Sequence, residues 1–233
     1  MLDNYSSAAF QRSLDEHVSA VMKRVYIKMT LALVVTALVA LFCANSFAYL
    51  NFMVTNSWAM WVLMLAEIGI VIGVSGAINR LTSPVASLLF YLFAVINGLM
   101  LAPIFVIYTG VSIAKTFFIT AGTFGAMSVY GYFTSKDLTK IGSFLFMALI
   151  GLIICSLVNI FMKSDTMGWI ISGAGVLIFI GLTAWDTQQI KRMAMASPGF
   201  SDGRLATLGA LSLYLDFINL FLYLLRFFGS SRD

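Results

Sequence analysis

Residues 205–228, LATLGALSLYLDFINLFLYLLRFF, are apolar enough and long enough to cross a membrane, yet they carry a carboxylate, Asp216. A comparable stretch at 167–189, MGWIISGAGVLIFIGLTAWDTQQ, carries Asp186, and Glu67 lies in a third. A spanning helix needs about 20 apolar residues, and an ionised side chain at its centre costs roughly 2.5–3.5 kcal/mol. We therefore expect these three acids to line a wet cavity, share protons or bind a cation.

The composition of the whole chain indicates an integral membrane protein. Of its 233 residues, 61% are hydrophobic and only 10% are charged, and the mean hydropathy is +0.96. Soluble domains carry about 25% charged residues. No segment is long enough for a separate soluble domain, so a single transmembrane domain over residues 1–233 is expected. Residues 1–24 are polar and amphipathic and are predicted to form a cytoplasmic N-terminal segment.

Apolar runs separated by polar breaks predict an all-α fold with seven transmembrane helices. The predicted helices cover residues 26–45, 58–78, 84–108, 113–133, 141–162, 167–189 and 205–228. Basic residues set the orientation, because cytoplasmic loops carry an excess of Lys and Arg. With the N-terminus in the cytoplasm, ten of the fourteen Lys and Arg residues fall on the cytoplasmic side. A cytoplasmic N-terminus is therefore predicted.

The two aspartates lie on polar helical faces. Asn219 follows Asp216 by three residues and Thr183 precedes Asp186 by three, so each pair shares one face of its helix. Counted from the predicted helix ends, Asp186, Asp216 and Glu67 all lie in the cytoplasmic half or middle of the membrane, within reach of one cavity. Thr183 and Asn219 are therefore candidates for lining an ion pathway beside the acids.

Paired carboxylates in a medium of low dielectric constant cannot both ionise cheaply, so they titrate as a unit and can sense protons. Their oxygen atoms also suit hard cations such as Ca²⁺. Protons and a cation are thus expected to compete for the same atoms of Asp186, Asp216 and Glu67. No tightly bound cofactor is predicted, with Ca²⁺ as a permeant ion and H⁺ as a regulator.

The sequence does not favour an enzyme. Its single histidine, His17, falls in the N-terminal segment, so no Ser-His-Asp set, H-E-x-x-H motif or His-rich metal site is formed. The acids read Trp185-Asp186 and Leu215-Asp216, whereas an aspartyl intramembrane protease is expected to have Tyr-Asp and Gly-Asp pairs. A clustered basic patch for nucleic acid is also missing. The net charge of +4 is expected to face anionic lipid.

Four segments resemble the Bax-inhibitor-like (transmembrane Bax inhibitor motif) family. They are residues 181–187, GLTAWDT; residues 213–221, LYLDFINLF; residues 25–30, VYIKMT; and residues 66–69, AEIG. The similarity covers about residues 20–228, and the short loops look most like those of a bacterial member. The resemblance implies an inner-membrane protein.

The same resemblance implies a fold in which six helices surround a central seventh helix, and a pH-sensitive calcium leak as the activity. In that reading Asp186 and Asp216 form the proton-sensing dyad and Glu67 lines the Ca²⁺ pathway. Some members pair an aspartate with a basic residue near the end of the second helix, where Arg80 is the nearest candidate for such a latch.

The sequence is therefore compatible with three functions. The first is a passive calcium leak channel gated by protonation of the aspartate dyad. The second is a transporter that exchanges protons for a cation or a small solute through the same acids. The third is a membrane regulator of a protease or a stress-response partner, acting through the N-terminal segment.

Overall fold

The computed structural model describes residues 2–196 and 202–230, with side chains from residue 10 onward, and in these ranges the regular structure is helical. The helices are α1 Leu2–Ala44, α2 Phe47–Thr55, α3 Ser57–Ala77, α4 Ser83–Leu101, α5 Ile104–Ile107, α6 Gly110–Phe133, α7 Thr139–Met162, α8 Asp165–Ala196 and α9 Asp202–Phe228. The prediction of an all-α membrane protein is confirmed.

Six stretches of the described chain are long and apolar enough to cross a membrane, so the predicted count of seven is not confirmed. They are Phe10–Ala44, Ser57–Ala77, Ser83–Ile107, Thr139–Met162, Asp165–Ala196 and Asp202–Phe228. The predicted fourth span, 113–133, does form a helix, α6, but no stretch of α6 is as apolar as the best stretch of each of the six. Lys115 and several hydroxyl side chains lower its hydropathy.

The first helix is much longer than the predicted range of 26–45. With 43 residues, α1 measures about 64 Å, roughly twice the hydrocarbon thickness of a bilayer. Val18, Val21 and Val25 are 2%, 0% and 0% exposed, and their spacing places them on one helical face. The amphipathic N-terminal segment is therefore an extension of α1 with a buried apolar face.

Contacts within the chain group it into two units. The N-terminal unit comprises Met1–Pro103 and Gln189–Leu211, and the C-terminal unit comprises Ile104–Gln188 and Ser212–Asp233. Each is described by itself below. The single domain predicted for the chain stays a prediction.

In the N-terminal unit, α1 and α4 make a close helix contact. A Cβ atom at Gly98 would lie 2.7 Å from the carbonyl oxygen of Thr36, so only glycine allows this approach. The Thr36 hydroxyl donates a hydrogen bond to the carbonyl oxygen of Ala94 at 2.9 Å. Small residues at such crossings let membrane helices pack closely. The contact fixes the register of α4 and hence the position of Asn97.

In the C-terminal unit, α6 packs on α9 through aromatic rings. Phe217 lies between Phe117 and Phe124, with both ring centroids 5.4 Å away in edge-to-face arrangements. The spanning stretch of α9 is the most buried of the six, at 67%. This burial is expected for a helix with neighbours on several sides.

Candidate functional site

The centre of the candidate site is a pair of aspartates on the last two helices of the C-terminal unit. The side chains of Asp186 on α8 and Asp216 on α9 lie within hydrogen-bonding reach of each other. Since an ionised carboxylate can only accept hydrogen bonds, a bond between them forms only when one of the two groups carries a proton. Asp216 is 4% exposed and Asp186 is half-buried. We call these two residues the aspartate pair.

Asp216 has a buried oxygen that no donor reaches. Its Oδ2 atom is buried and has no hydrogen-bond donor among the described residues. An unsatisfied buried polar atom costs about 1–3 kcal/mol, so such atoms in native proteins call for an explanation. The atom is a free acceptor for a proton, a water molecule or a cation.

The pair alone does not complete a calcium site. It supplies at most about four carboxylate oxygens, whereas Ca²⁺ takes 6–8 oxygen ligands. Residues 10–196 and 202–230 contain no cluster of three or more Asp, Glu, His or Cys side chains that could hold a metal ion. Hydroxyl groups, backbone carbonyls and water would have to supply the remaining ligands.

Neighbouring side chains hold α8 in the rotation that presents Asp186. The amide of Gln188 accepts a hydrogen bond from the backbone N–H of Leu138 at 2.9 Å and donates one to the carbonyl of Lys136 at 2.8 Å. The indole of Trp185 lies flat against Gly142 on α7, where any Cβ atom would overlap the ring. These contacts tie α8 to α7 and to the loop before it.

The two predicted lining residues satisfy their polar groups within their own helices. The hydroxyl of Thr183 is fully buried and donates to the carbonyl of Phe179 at 2.7 Å. The amide of Asn219 donates to the carbonyl of Leu215 at 2.8 Å. Both lie in the C-terminal unit with the aspartate pair. Their role in lining a pathway stays a prediction.

Glu67 lies in the N-terminal unit and has a different partner. Its Oε1 atom accepts a hydrogen bond from Nδ2 of Asn97 at 2.9 Å, which joins α3 to α4. Asn97 is not among the site residues predicted from the sequence. The available signal was an amide beside Gly98 in an otherwise apolar helix. A pathway shared by Glu67 and the aspartate pair stays a prediction.

Arg80, the candidate latch, lies in the turn that follows α3. Its backbone N–H donates to the carbonyl of Ala77 at 2.8 Å, and its side chain is exposed. Asp202 lies 3.1 Å from Arg24 and 3.8 Å from His17. The latch therefore stays a prediction.

A half-buried lysine is not among the site residues predicted from the sequence. This residue, Lys28, lies within the first predicted span. Its Nζ atom donates to the hydroxyls of Ser87 and Thr207, at 2.6 Å each, and to the carbonyl of Gly203 at 3.3 Å. A cation inside an apolar run was the signal that could have revealed it. The lysine joins α1, α4 and α9 within the N-terminal unit.

The fold and the site define a helical integral membrane protein with ionisable groups inside its membrane-spanning helices. The sequence model of the family described as inhibitor of apoptosis-promoting Bax1 matches residues 18–233, nearly the whole chain. The chain belongs to this family, the Bax inhibitor-1 family, as the resemblance had predicted.

Bacterial relatives support the same assignment. The inner membrane protein YbhL of Escherichia coli (strain K12) is 47% identical over 214 residues, which cover 91% of this chain and 92% of the relative. A protein of Rickettsia prowazekii is 44% identical over 95% of this chain and 94% of its own length. A membrane protein of Streptococcus pyogenes is 42% identical over 72% of each chain.

Proposed function

We propose that this protein is a pH-sensitive calcium leak channel gated by protonation of the aspartate pair. The observation that carries the proposal is the close approach of the Asp186 and Asp216 side chains on neighbouring helices, with Oδ2 of Asp216 buried and without a hydrogen-bond donor. A shared proton ties α8 to α9 and leaves few oxygens for a cation.

Loss of the shared proton changes both the contact between α8 and α9 and the number of oxygens that can bind a cation. Two carboxylates about 4 Å apart repel each other by about 4 kcal/mol at an effective dielectric constant near 20, which exceeds the value of one hydrogen bond. The repulsion favours separation of α8 and α9, and the ionised oxygens then attract a cation. Calcium flux is therefore expected to rise as the pH rises.

Reconstitution into liposomes tests this mechanism. Calcium entry into dye-loaded vesicles is measured at a series of pH values for the wild type and for Asp216→Asn. The amide can keep a hydrogen bond to Asp186 but cannot release a proton, so the pH dependence should disappear. Asp165→Asn, which changes an exposed acid at the start of α8, serves as the matched control. Unchanged flux and unchanged pH dependence in Asp216→Asn would reject the proposal.

A second candidate is a proton-coupled transporter of a cation or a small solute. It is favoured by the same shared proton, because a group that exchanges a proton for a cation can couple their movements. A transporter accumulates its substrate against a gradient when a pH difference is imposed across the vesicle membrane, whereas a leak only equilibrates it. A role in regulating a partner protein would instead depend on residues 1–24 and leave flux unaffected by their removal.

The orientation is also part of the proposal, with the N-terminus in the cytoplasm of a bacterial cell. Six spans return the C-terminus to the cytoplasm, and seven spans place it outside. A fluorescent reporter that matures only in the cytoplasm and a phosphatase active only outside it, each fused after Asp233, distinguish the two. A fluorescent C-terminal fusion would mean that one of the seven predicted helices does not cross the membrane.

A further inference from the structure

Helix α6 carries hydroxyl groups on its buried face. Thr116, Thr120 and Ser128 are 0%, 0% and 5% exposed, and their spacing of four and eight residues places them on one face. The opposite face is apolar and exposed, with Phe118 at 73% and Val129 at 58%. A membrane helix with lipid on one side and a polar interior on the other has this distribution.

Helix α6 packs against both helices that carry the aspartate pair. Phe217, the residue after Asp216, packs between Phe117 and Phe124, so Asp216 is level with the middle of the face. Farther along α6, Gly131 lies directly against the backbone of Ala184, two residues before Asp186.

The hydroxyl face therefore runs along α6 past Asp216 and towards the level of Asp186. Thr116 precedes the level of Phe217 on α6, and Ser128 lies near the level of Asp186. They are about 18 Å apart along the helix axis.

Several polar atoms in this region lack partners. The buried side-chain nitrogen and oxygen atoms without a hydrogen bond, among the described residues, are Oγ1 of Thr116, Oγ of Ser128, Nε1 of Trp185 and Oδ2 of Asp216. All four belong to the C-terminal unit. By contrast, the hydroxyl of Thr120 donates to the carbonyl of Thr116 at 2.8 Å within its own helix. Buried polar atoms are nearly always satisfied by protein, water or an ion.

We propose that the hydroxyl face of α6 is the wall of a hydrated conduit that leads to the aspartate pair. Its ligands are water and a small hard cation, which take the free oxygens of Thr116, Ser128 and Asp216. The inference rests on the proposed function, because it supplies the route by which protons and the cation reach the pair. Neutral oxygen ligands and water complete the shell of a hard cation when carboxylates are few.

The conduit is closed beyond Thr116 by an apolar cluster. Ile113 lies one turn before Thr116 on α6. It is buried together with Phe221 and Leu225 of α9. The backbone N–H of Ser230 also donates to the hydroxyl of Ser112 at 2.8 Å, which joins the end of α9 to the start of α6. Apolar constrictions of this kind gate pores by excluding water.

Thiol accessibility tests for water without relying on transport. Single cysteines replace Thr116 and Ser128 in a chain whose own cysteines, Cys43 and Cys155, are changed to alanine, and a hydrophilic thiol reagent is applied. Leu152→Cys, equally buried at 5% but apolar, is the control. Modification at 116 and 128 is expected to be at least about tenfold faster than at 152, since a thiolate reacts only where water reaches it. Equal rates at all three positions would overturn the conduit.

Calcium flux provides the second test. Thr116→Val removes an unpartnered hydroxyl, and Ser172→Ala on α8 is the control because its buried hydroxyl is already bound to the carbonyl of Gly168 within its own helix. In variants that stay monodisperse, Thr116→Val should lower flux about fivefold or more while Ser172→Ala stays within about twofold, because lining oxygens replace the hydration shell of the ion. Unchanged flux with a raised melting temperature in Thr116→Val would mean a dry site and contradict the inference. If the wild type shows no calcium flux, the proposed function fails, and the thiol reaction still decides whether the conduit exists.

Discussion

Asn97 on α4 donates a hydrogen bond of 2.9 Å to Glu67 on α3, and this contact gives a membrane acid a neutral partner on the neighbouring helix. An amide stabilises the acid without adding a counter-charge, so Glu67 keeps lone pairs for other ligands. The aspartate pair is different, because each acid has the other as its nearest charged neighbour. The three acids thus divide into two aspartates that lie side by side and a single carboxyl held by an amide.

Replacing Asn97 by alanine should lower the free energy of unfolding by about 1–3 kcal/mol, because Glu67 loses its donor in a half-buried site. The variant Glu67→Gln should cost less, since one amide can still bond to the other. Thermal unfolding in detergent measures both effects. A double-mutant cycle with Glu67→Ala isolates the interaction energy between Asn97 and Glu67. Additive effects of the two changes would show that the side chains do not interact.

Lys28→Met should destabilise the protein by about 2–3 kcal/mol, because it removes the hydrogen bonds of the ammonium group to Ser87, Thr207 and Gly203. The methionine keeps a similar shape and length. Lys23→Met, an exposed position one turn earlier on α1, is the control and should be nearly neutral. Equal losses in the two variants would mean that the contacts of Lys28 contribute nothing specific.

Gln188→Ala should loosen the contact between α8 and the loop before α7, because both hydrogen bonds of its amide are made to that loop. The expected loss is about 2 kcal/mol, because the buried backbone N–H of Leu138 is left unsatisfied. The control is Gln189→Ala, the same change at the next residue. Hydrogen exchange of the Leu138 amide is the direct measurement, and protection unchanged from the wild type would refute the assignment.

Tyr49 provides a pH test outside the six candidate spans. Its hydroxyl donates to the carbonyl of Leu99 at 2.7 Å, and burial raises the pKa of Tyr49 to about 12. A raised pKa means that the hydrogen bond stabilises the fold fully below the ordinary value of 10 and is lost as the pH rises towards 12. Tyr49→Phe should therefore cost about 1 kcal/mol at neutral pH.

The stability difference between Tyr49→Phe and the wild type should shrink between pH 10 and pH 12, the interval set by the ordinary and raised pKa. Chemical unfolding at several pH values measures it. A difference that already changes between neutral pH and pH 9 would indicate that another group titrates.

The sequence by itself determined the class of this protein and its helical content. Both depend on hydropathy, which is a local property of each segment. A run of about 20 apolar residues therefore identifies a span without knowledge of the neighbouring helices. The same reasoning singled out Asp186, Asp216 and Glu67, because a carboxylate in an apolar run is visible at once. Helix α6 is less clearly identified by hydropathy than the other long helices. Its hydroxyl groups help to lower its average hydropathy, which is therefore a poor guide to its place in the fold.

Only the tertiary structure decided which polar groups meet. Asn97 was visible as an amide in an apolar helix, but its contact with Glu67 depends on how α3 and α4 rotate against each other. The rotation of α8 that presents Asp186 to Asp216 is set by the approach of Gly131 to Ala184 and of Trp185 to Gly142. Such contacts join residues tens of positions apart, and close packing fixes them through the shapes of both helices at once. Local patterns do not contain that information.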